Sequence, residues 1–200
     1  MMDENMPIVD GKEYQGHSAK NKLIKGFREL VVKKSFEKLT VSQICETAQV
    51  SRKTFYSYFK DKNDVIEHIL LKSLIQPFEE LRKLYAAHDD LPVALMMEWL
   101  YRQVYEDRDF YAGISSFTGQ NSLQEFILKH NIEMLSQSLA SIDMPQEDKE
   151  YTVYFYAASH TMLLIKWIRD GMVVSPKKMA SYYEKWTIPV WRDISQNKKR

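Results

Sequence analysis

From Ser18 almost to its end, this 200-residue chain places its apolar residues at helical spacing. Leu23, Phe27, Leu30 and Val31, for example, fall on one face of a helix. Runs that alternate apolar and polar residues between turn residues, the pattern of a half-buried strand, are missing. The sequence therefore predicts an all-α protein.

Local start and stop signals set the limits of the predicted helices. Thr40 and Gln43 match a capping box ahead of a short helix over about 41–48, and Ser51 precedes a second short helix over about 52–58. Further helices are predicted from residue 63 or 64 with a kink or an end at Pro77, then over about 92–105, 108–118, 122–140, 145–170 and 176–194, the last with a kink or an early end at Pro189.

The composition excludes several classes of protein. Hydrophobic residues make up 44% and charged residues 28% of the chain, as in soluble globular proteins. Cys45 has no second cysteine to pair with, which excludes an intrachain disulfide and a cysteine zinc site. The longest mostly apolar run, about 151–165, is interrupted by Ser159 and His160 and is too short to span a membrane. The acidic, polar residues 1–16 are unlike a signal peptide, so we expect a cytoplasmic protein.

The net charge of +1 hides a basic segment near the N-terminus. Residues 17–62 carry eleven Lys and Arg against four Asp and Glu, a balance of +7, whereas residues 1–16 and 63–200 each balance at −3. Such a segment on a nearly neutral chain fits a surface that faces a polyanion. A solvated lysine-rich helix face is the alternative that charge alone leaves open.

Two short helices joined by a tight turn, inside this basic segment, describe a helix-turn-helix. The second helix opens with Ser51, Arg52, Lys53 and Thr54. An α-helix fits the major groove of B-DNA, where Arg, Lys and hydroxyl groups read the base edges. A solvated helix start is the alternative. Cations at a helix N-terminus oppose the helix dipole by about 0.3–1 kcal/mol each, however, so the pattern favours an anionic partner.

The stretch 39–66, LTVSQICETAQVSRKTFYSYFKDKNDVI, resembles the TetR family of bacterial transcription regulators. It shares with them a capping Thr, a small residue plus V-S in the turn, and the run T-F-Y-x-Y-F-K-x-K. Near the end of the chain, W-I-R-D-G-M and S-P-K-K-M-A resemble the branch of dihydroxyacetone-operon regulators. The resemblance implies a flexible tail over 1–16, a helix-turn-helix DNA-binding domain over 17–75 with its motif at about 40–59, and a helical ligand-binding and dimerisation domain over 76–200.

The resemblance also implies roles for single residues. Arg52 and Lys53, the first residues after the helix cap Ser51, are expected to face base edges, and Thr54 and Ser42 to contact bases or phosphates. Phosphate or backbone contacts are implied for the rest of the set: Thr40, Tyr56, Tyr58, Lys60 and Lys62. For the two tyrosines, packing inside the protein stays open as the alternative.

Other residues of the motif concern its own packing. Phe55 and Phe59 lie four residues apart and are expected to pack against the first helix. Many family members have Gly in the turn where this chain has Gln49. We expect Gln49 to be tolerated, because Val50 and Ser51 keep the rest of the turn.

The part of the chain beyond residue 75 is rich in aromatic residues, which predicts either a ligand pocket or simply a core. The helix over 145–170 is apolar almost all round and must be covered on two sides, and a second copy of the chain is the natural cover for one of them. His160, in this helix, is expected in an interface or core rather than as a ligand. The resemblance implies a homodimer through about 147–170 and 176–193, and an inducer pocket with candidate liners Trp99, Phe117, Phe126, Met134 and Tyr154.

Signatures of an enzyme are missing. The sequence has no Gly-rich phosphate loop, no G-x-S-x-G and no H-E-x-x-H, so we expect no catalytic residues, cofactor or metal. The expected function is a homodimeric regulator that binds a palindromic double-stranded DNA operator, by resemblance an effector-responsive repressor. The alternative is a transcriptional co-activator whose C-terminal helical domain binds a partner protein. A sizeable pocket would favour the first, and a filled core with an exposed apolar patch the second.

Overall fold

The computed structural model describes residues 18–86, 93–118 and 122–196, and side chains within α10 up to residue 187. This part of the chain is helical and contains no strand, which confirms the predicted all-α class. The predicted tail, residues 1–16, lies outside the described residues. The helices are α1 (Ala19–Lys33), α2 (Val41–Ala48), α3 (Arg52–Tyr58), α4 (Lys62–Leu70), α5 (Gln76–Ala86), α6 (Val93–Glu106), α7 (Arg108–Ser115), α8 (Leu123–Leu139), α9 (Gln146–Arg169) and α10 (Pro176–Gln196), with a 3₁₀ turn at Phe36–Lys38.

The two short helices begin where the sequence predicts, because their caps are local. At the start of α2, the Thr40 N–H donates to Gln43 Oε1 (3.1 Å) and the Gln43 N–H donates to Thr40 Oγ1 (3.3 Å), which completes the capping box. At the start of α3, Ser51 Oγ accepts the Thr54 N–H at 3.1 Å. These bonds satisfy backbone donors that have no partner within a helix.

The turn between α2 and α3 is held in a left-handed conformation at Gln49. This residue has φ 54° and ψ 44°, a region that favours glycine. Its N–H donates to the carbonyl of Glu46, and the next N–H, of Val50, donates to the carbonyl of Cys45 at 2.9 Å. The pair of bonds forms a Schellman motif, so the turn closes without glycine.

Pro77 changes the helix locally without ending it. Proline lacks an N–H, and its ring clashes with the carbonyl four residues earlier in an α-helix. Just before it, the backbone over Leu71–Ile75 widens into a π-helical turn, in which the Gln76 N–H donates to the Leu71 carbonyl. The irregularity predicted at Pro77 takes this form. Of the kink or early end predicted at Pro189, the early end is wrong, because α10 continues to Gln196.

We call α1–α4 the head and α5–α10 the body. One continuous cluster of buried side chains joins them, from Leu23 and Phe55 in the head to Tyr101 and Leu164 in the body. Within the body, α8 packs against α9 and α6 against α10. In the α8–α9 pair, the Asn131 amide donates to Thr161 Oγ1 at 3.0 Å.

Head and body meet most closely where α1 packs against α7. Arg28 pairs with Asp107 and lies over the ring of Phe110, with 4.4 Å between the guanidinium carbon and the ring centroid. Gly113, which lies on α7 like Phe110, approaches the backbone of Val31 on α1. A Cβ at position 113 would lie 2.5 Å from the Val31 carbonyl oxygen, so this contact requires glycine.

We expect Gln49→Gly to raise the free energy of unfolding by about 0.5–1 kcal/mol, because glycine has no Cβ to clash in the left-handed region. Urea denaturation followed by circular dichroism measures the change. Gln49→Ala is the control, since alanine loses the same side-chain length but keeps the strained Cβ. Equal stabilities of the two variants would contradict the explanation.

Candidate nucleic-acid interface

The N-terminal turn of α3 lies on the surface. Ser51, Arg52 and Lys53 are exposed and Thr54 is half-buried. Neither cation has a carboxylate partner among the described residues. The Thr54 hydroxyl lies 2.8 Å from that of Ser51, so these two side chains order the turn that presents the cations. The predicted reading residues are therefore accessible together.

The opposite face of α3 is anchored in the core. Phe55 is fully buried and Phe59 nearly so, with 5.8 Å between their ring centroids. The expectation that both belong to the core is confirmed. A seven-residue helix is too short to be stable by itself, so this burial fixes its direction. The turn from Ser51 to Thr54 points away from the core as a result.

Tyr56 is exposed at the surface and also interacts with Arg52. These residues lie four apart on α3, and the interaction with Tyr56 raises the pKa of Arg52 above its ordinary value. The Tyr56 ring packs edge-on against Phe55, 5.4 Å between centroids, yet the residue remains 52% exposed. The spacing of positions 52 and 56 was a signal for this contact that the sequence interpretation missed.

The remaining predicted contacts differ in how far they are engaged. Ser42, Tyr58 and Lys60 are exposed. Thr40 is exposed too, but its hydroxyl and N–H are used in the capping box. The backbone N–H of Lys60 donates to Asp64 Oδ2 at 2.8 Å. The Lys60 side chain remains exposed at the surface.

Lys62 does not match the expectation of a phosphate contact. Its ammonium donates to the backbone carbonyls of Phe36 (2.8 Å), Glu37 (3.0 Å) and Leu39 (2.9 Å). An ammonium has three donors, and all three are taken by the protein itself. Lys62 therefore differs from the other predicted phosphate contacts in that its ammonium is already bonded within the protein.

A small cavity lies in the body, with a volume of about 60 Å³. Of the five predicted liners, Met134 lines it. The other four do not line this cavity. Trp99 packs against Phe78, Phe117 against Phe36 and Phe126 against His130, at centroid distances of 6.3, 5.3 and 4.5 Å, and Tyr154 is 58% exposed on α9. The lining is Leu74, Ile75, Phe78, Glu79, Met97, Leu100, Tyr101, Ile127, His130, Asn131, Met134, His160, Leu164 and Tyr183.

His160 is part of this lining and is half-buried. Its ring lies 4.3 Å from that of Tyr183, and Nε2 is 3.4 Å from Thr187 Oγ1. Burial lowers the pKa of His160 to about 4, because desolvation disfavours the imidazolium. The side chain is neutral at physiological pH.

Within the described residues, no group of three or more His, Cys, Asp and Glu is placed to hold a metal ion. No helix there has the length and apolar character needed to cross a membrane.

Comparison with known proteins matches both halves of the chain to regulator families. Residues 23–69 match the family described as bacterial regulatory proteins, tetR family. Residues 94–187 match a family described as transcriptional regulator C-terminal region, of the TetR type. The first match contains the whole of α2 and α3, and thus the exposed turn of Arg52 and Lys53.

A relative and several solved structures are similar to the chain. The dhaKLM operon transcriptional activator DhaS of Lactococcus lactis is 24% identical over 106 residues, and the match covers 53% of this chain and about half (52%) of that protein. A DhaS structure aligns with a TM-score of 0.55 and 20% identity, covering 90% of this chain and 96% of that one.

Two other structures show the same fold. A TetR-family regulator from Syntrophomonas wolfei aligns with a TM-score of 0.63 and 17% identity, covering 82% of this chain and 90% of its own. NalD of Pseudomonas aeruginosa aligns with a TM-score of 0.62 and 18% identity, covering 87% and 96%. TetR-type regulators bind DNA and are not enzymes. With both family matches and the helix-turn-helix described above, the chain belongs to the TetR family of transcriptional regulators.

Proposed function

We propose that this regulator binds a palindromic operator as a homodimer and acts as an effector-responsive repressor. The exposed first turn of α3 carries the proposal. Arg52 and Lys53 stand at a helix N-terminus, where they oppose the helix dipole and have no carboxylate partner among the described residues. An anionic groove lined with base edges supplies the missing interaction.

The roles within the interface follow from exposure and reach. Arg52, oriented by Tyr56, and Lys53 read base edges, with Arg52 suited to bidentate contact with guanine. Ser51 caps the helix, and Thr54 lies at its first turn beside the reading residues. Phosphates are contacted by the exposed groups around the turn, namely Thr40, Ser42, Tyr56, Tyr58 and Lys60.

The unpartnered face of α9 supports the homodimer. Tyr151, Phe155 and Met162 are exposed along one side of this helix, Tyr151 by 72% and Phe155 by 64%. On α10, Trp186 is exposed and stacks in parallel on Tyr182, with 4.9 Å between ring centroids. Apolar side chains at this density mark a contact surface. A two-fold pair through α9 and α10 covers them and presents two copies of α3 to one duplex.

The position of the cavity inside the body supports the responsive part of the proposal. The cavity is lined by Leu74 and Ile75 of the π-helical turn, which leads directly from the body to α4 of the head. A ligand that fits one arrangement of this turn better than another shifts the head between two positions. NalD, one of the similar structures, is described as a repressor of a multidrug efflux pump.

The co-activator that binds a partner protein stays as a second candidate, and two observations favour it. The cavity of about 60 Å³ is far below the roughly 300–1,000 Å³ of sites for drug-sized ligands, while a large apolar face is exposed. DhaS is described as an activator. In transcription reconstituted from purified polymerase, a repressor lowers promoter output alone, whereas a co-activator raises it when its partner is added.

Selection of bound duplexes from a random pool tests the function as a whole. The proposal expects an enriched inverted repeat, whose half-sites lie about one helical turn (34–36 Å) or a multiple of it apart. The proposal would be contradicted if no sequence were enriched over the starting pool.

We expect Arg52→Ala to fold normally and to lose operator discrimination by about 1–3 kcal/mol, because it removes the bidentate contact to a base pair. Binding to the selected duplex and to a scrambled duplex is compared by fluorescence anisotropy. Lys60→Ala is the control: it should weaken both duplexes alike and reduce the slope of log K against log salt by about 0.9. An unchanged ratio between duplexes in the Arg52 variant contradicts the assignment.

We expect Phe155→Glu to dissociate the homodimer, raising its dissociation constant by about a hundredfold or more, because a carboxylate replaces an apolar anchor in a desolvated contact. Sedimentation equilibrium measures the mass. Val32→Glu is the matched control, since Val32 is a similarly exposed apolar residue on α1 of the head. The idea fails if the Phe155 variant keeps the mass of a dimer, or if both variants lose it equally.

A further inference from the structure

The start of α4 is a rigid platform for Lys62. The Asp61 carboxylate caps the helix by accepting the N–H groups of Asn63 (2.7 Å) and Asp64 (3.0 Å). Asp64 in turn accepts the Lys60 N–H. These reciprocal bonds fix the backbone from which the Lys62 side chain extends.

From this platform, Lys62 reaches back to the segment between α1 and α2. The three carbonyls that its ammonium meets belong to Phe36 and Glu37 of the 3₁₀ turn Phe36–Lys38 and to Leu39, and that of Phe36 also accepts the Leu39 N–H at 3.1 Å. The ring of Phe36 covers the ammonium, with 4.4 Å between Nζ and the ring centroid. Burial of this group lowers the pKa of Lys62, with Glu37 and Asp61 acting in the opposite direction.

The residues held in this way adjoin the DNA-facing surface. Leu39 immediately precedes Thr40, the cap of α2, so fixing its carbonyl fixes the entry into α2. Phe36 packs edge-on against Phe27 of α1 and against Phe117 of the body, at 6.2 and 5.3 Å. Lys62 thus connects the start of α4 to the residue that precedes α2, and through the Phe36 ring to Phe117 of the body.

We propose that Lys62 is a positioning residue for DNA binding: it holds the α1–α2 connection against α4, so that α2 and α3 keep the orientation that DNA recognition needs, and it makes no contact with phosphate. The inference rests on the proposed operator binding. A phosphate oxygen would have to displace one of three good hydrogen bonds and move the Phe36 ring. The role is therefore distinct from that of Lys60, two residues earlier, whose side chain is exposed.

Three full-length variants test this: Lys62→Met, Lys62→Arg and, as the matched control, Lys60→Met. Operator affinity is measured over a range of salt concentrations, at a temperature where circular dichroism shows each variant fully folded. We expect Lys62→Met to bind about tenfold or more weakly while its slope of log K against log salt equals that of the wild type. Lys60→Met should lose about 0.9 of that slope.

The variant Lys62→Arg distinguishes a positioning role from a phosphate contact, because the two roles predict opposite effects on operator affinity. The planar guanidinium cannot point three donors from one nitrogen at three converging carbonyls, so we expect arginine not to restore affinity. If Lys62 instead contacted a phosphate, arginine would retain that contact and the operator affinity.

Three results would overturn the positioning role: a lower salt slope in Lys62→Met, full rescue by arginine, or unchanged affinity in the folded Lys62→Met protein. Failure of the proposed function would look different, because the wild type and Lys60→Met would then bind no duplex.

Discussion

The position of the exposed side chains proposed to face DNA depends on the burial of two phenylalanines in a helix of seven residues. Helix α3 is too short to persist by itself, and the Phe55 and Phe59 rings hold it against α1 and α4. Every polar residue at its opposite end owes its direction to that burial. The hydroxyl pair of Ser51 and Thr54 and the contact between Arg52 and Tyr56 then order a turn whose overall direction is already fixed.

The body is organised on another principle. Its helices bury one continuous core, but α9 carries apolar side chains on more of its surface than its own neighbours cover. The same helix contributes His160 and Leu164 to the cavity. The proposed subunit contact and the cavity therefore share helix α9, so we expect a change at one to affect the other.

The parts that the sequence predicts well are those whose causes are local. The capping box of Thr40 and Gln43 and the Ser51 cap lie within four residues of the helices they start, and α2 and α3 begin as predicted. The exposed cations of α3 follow from the same short-range pattern.

Long-range packing explains where prediction fails. The acceptors for Lys62 lie 23–26 residues away and are backbone carbonyls, which no residue type announces. The aromatic residues proposed for the cavity show why spacing alone is insufficient. Trp99 and Tyr154 both lie on helices, but one is buried against Phe78 and the other faces outward. Which of them lines a cavity depends on how the helices are arranged.

The glycine at position 113 has a consequence for how the molecule moves. Because α7 touches the α1 backbone itself, with no flexible side chain as a cushion, small sliding between the two helices meets steep repulsion at once. The pair of Arg28 and Asp107 locks the same crossing electrostatically. We therefore expect helices α1 and α7 to move together as one rigid unit in any rearrangement of the body.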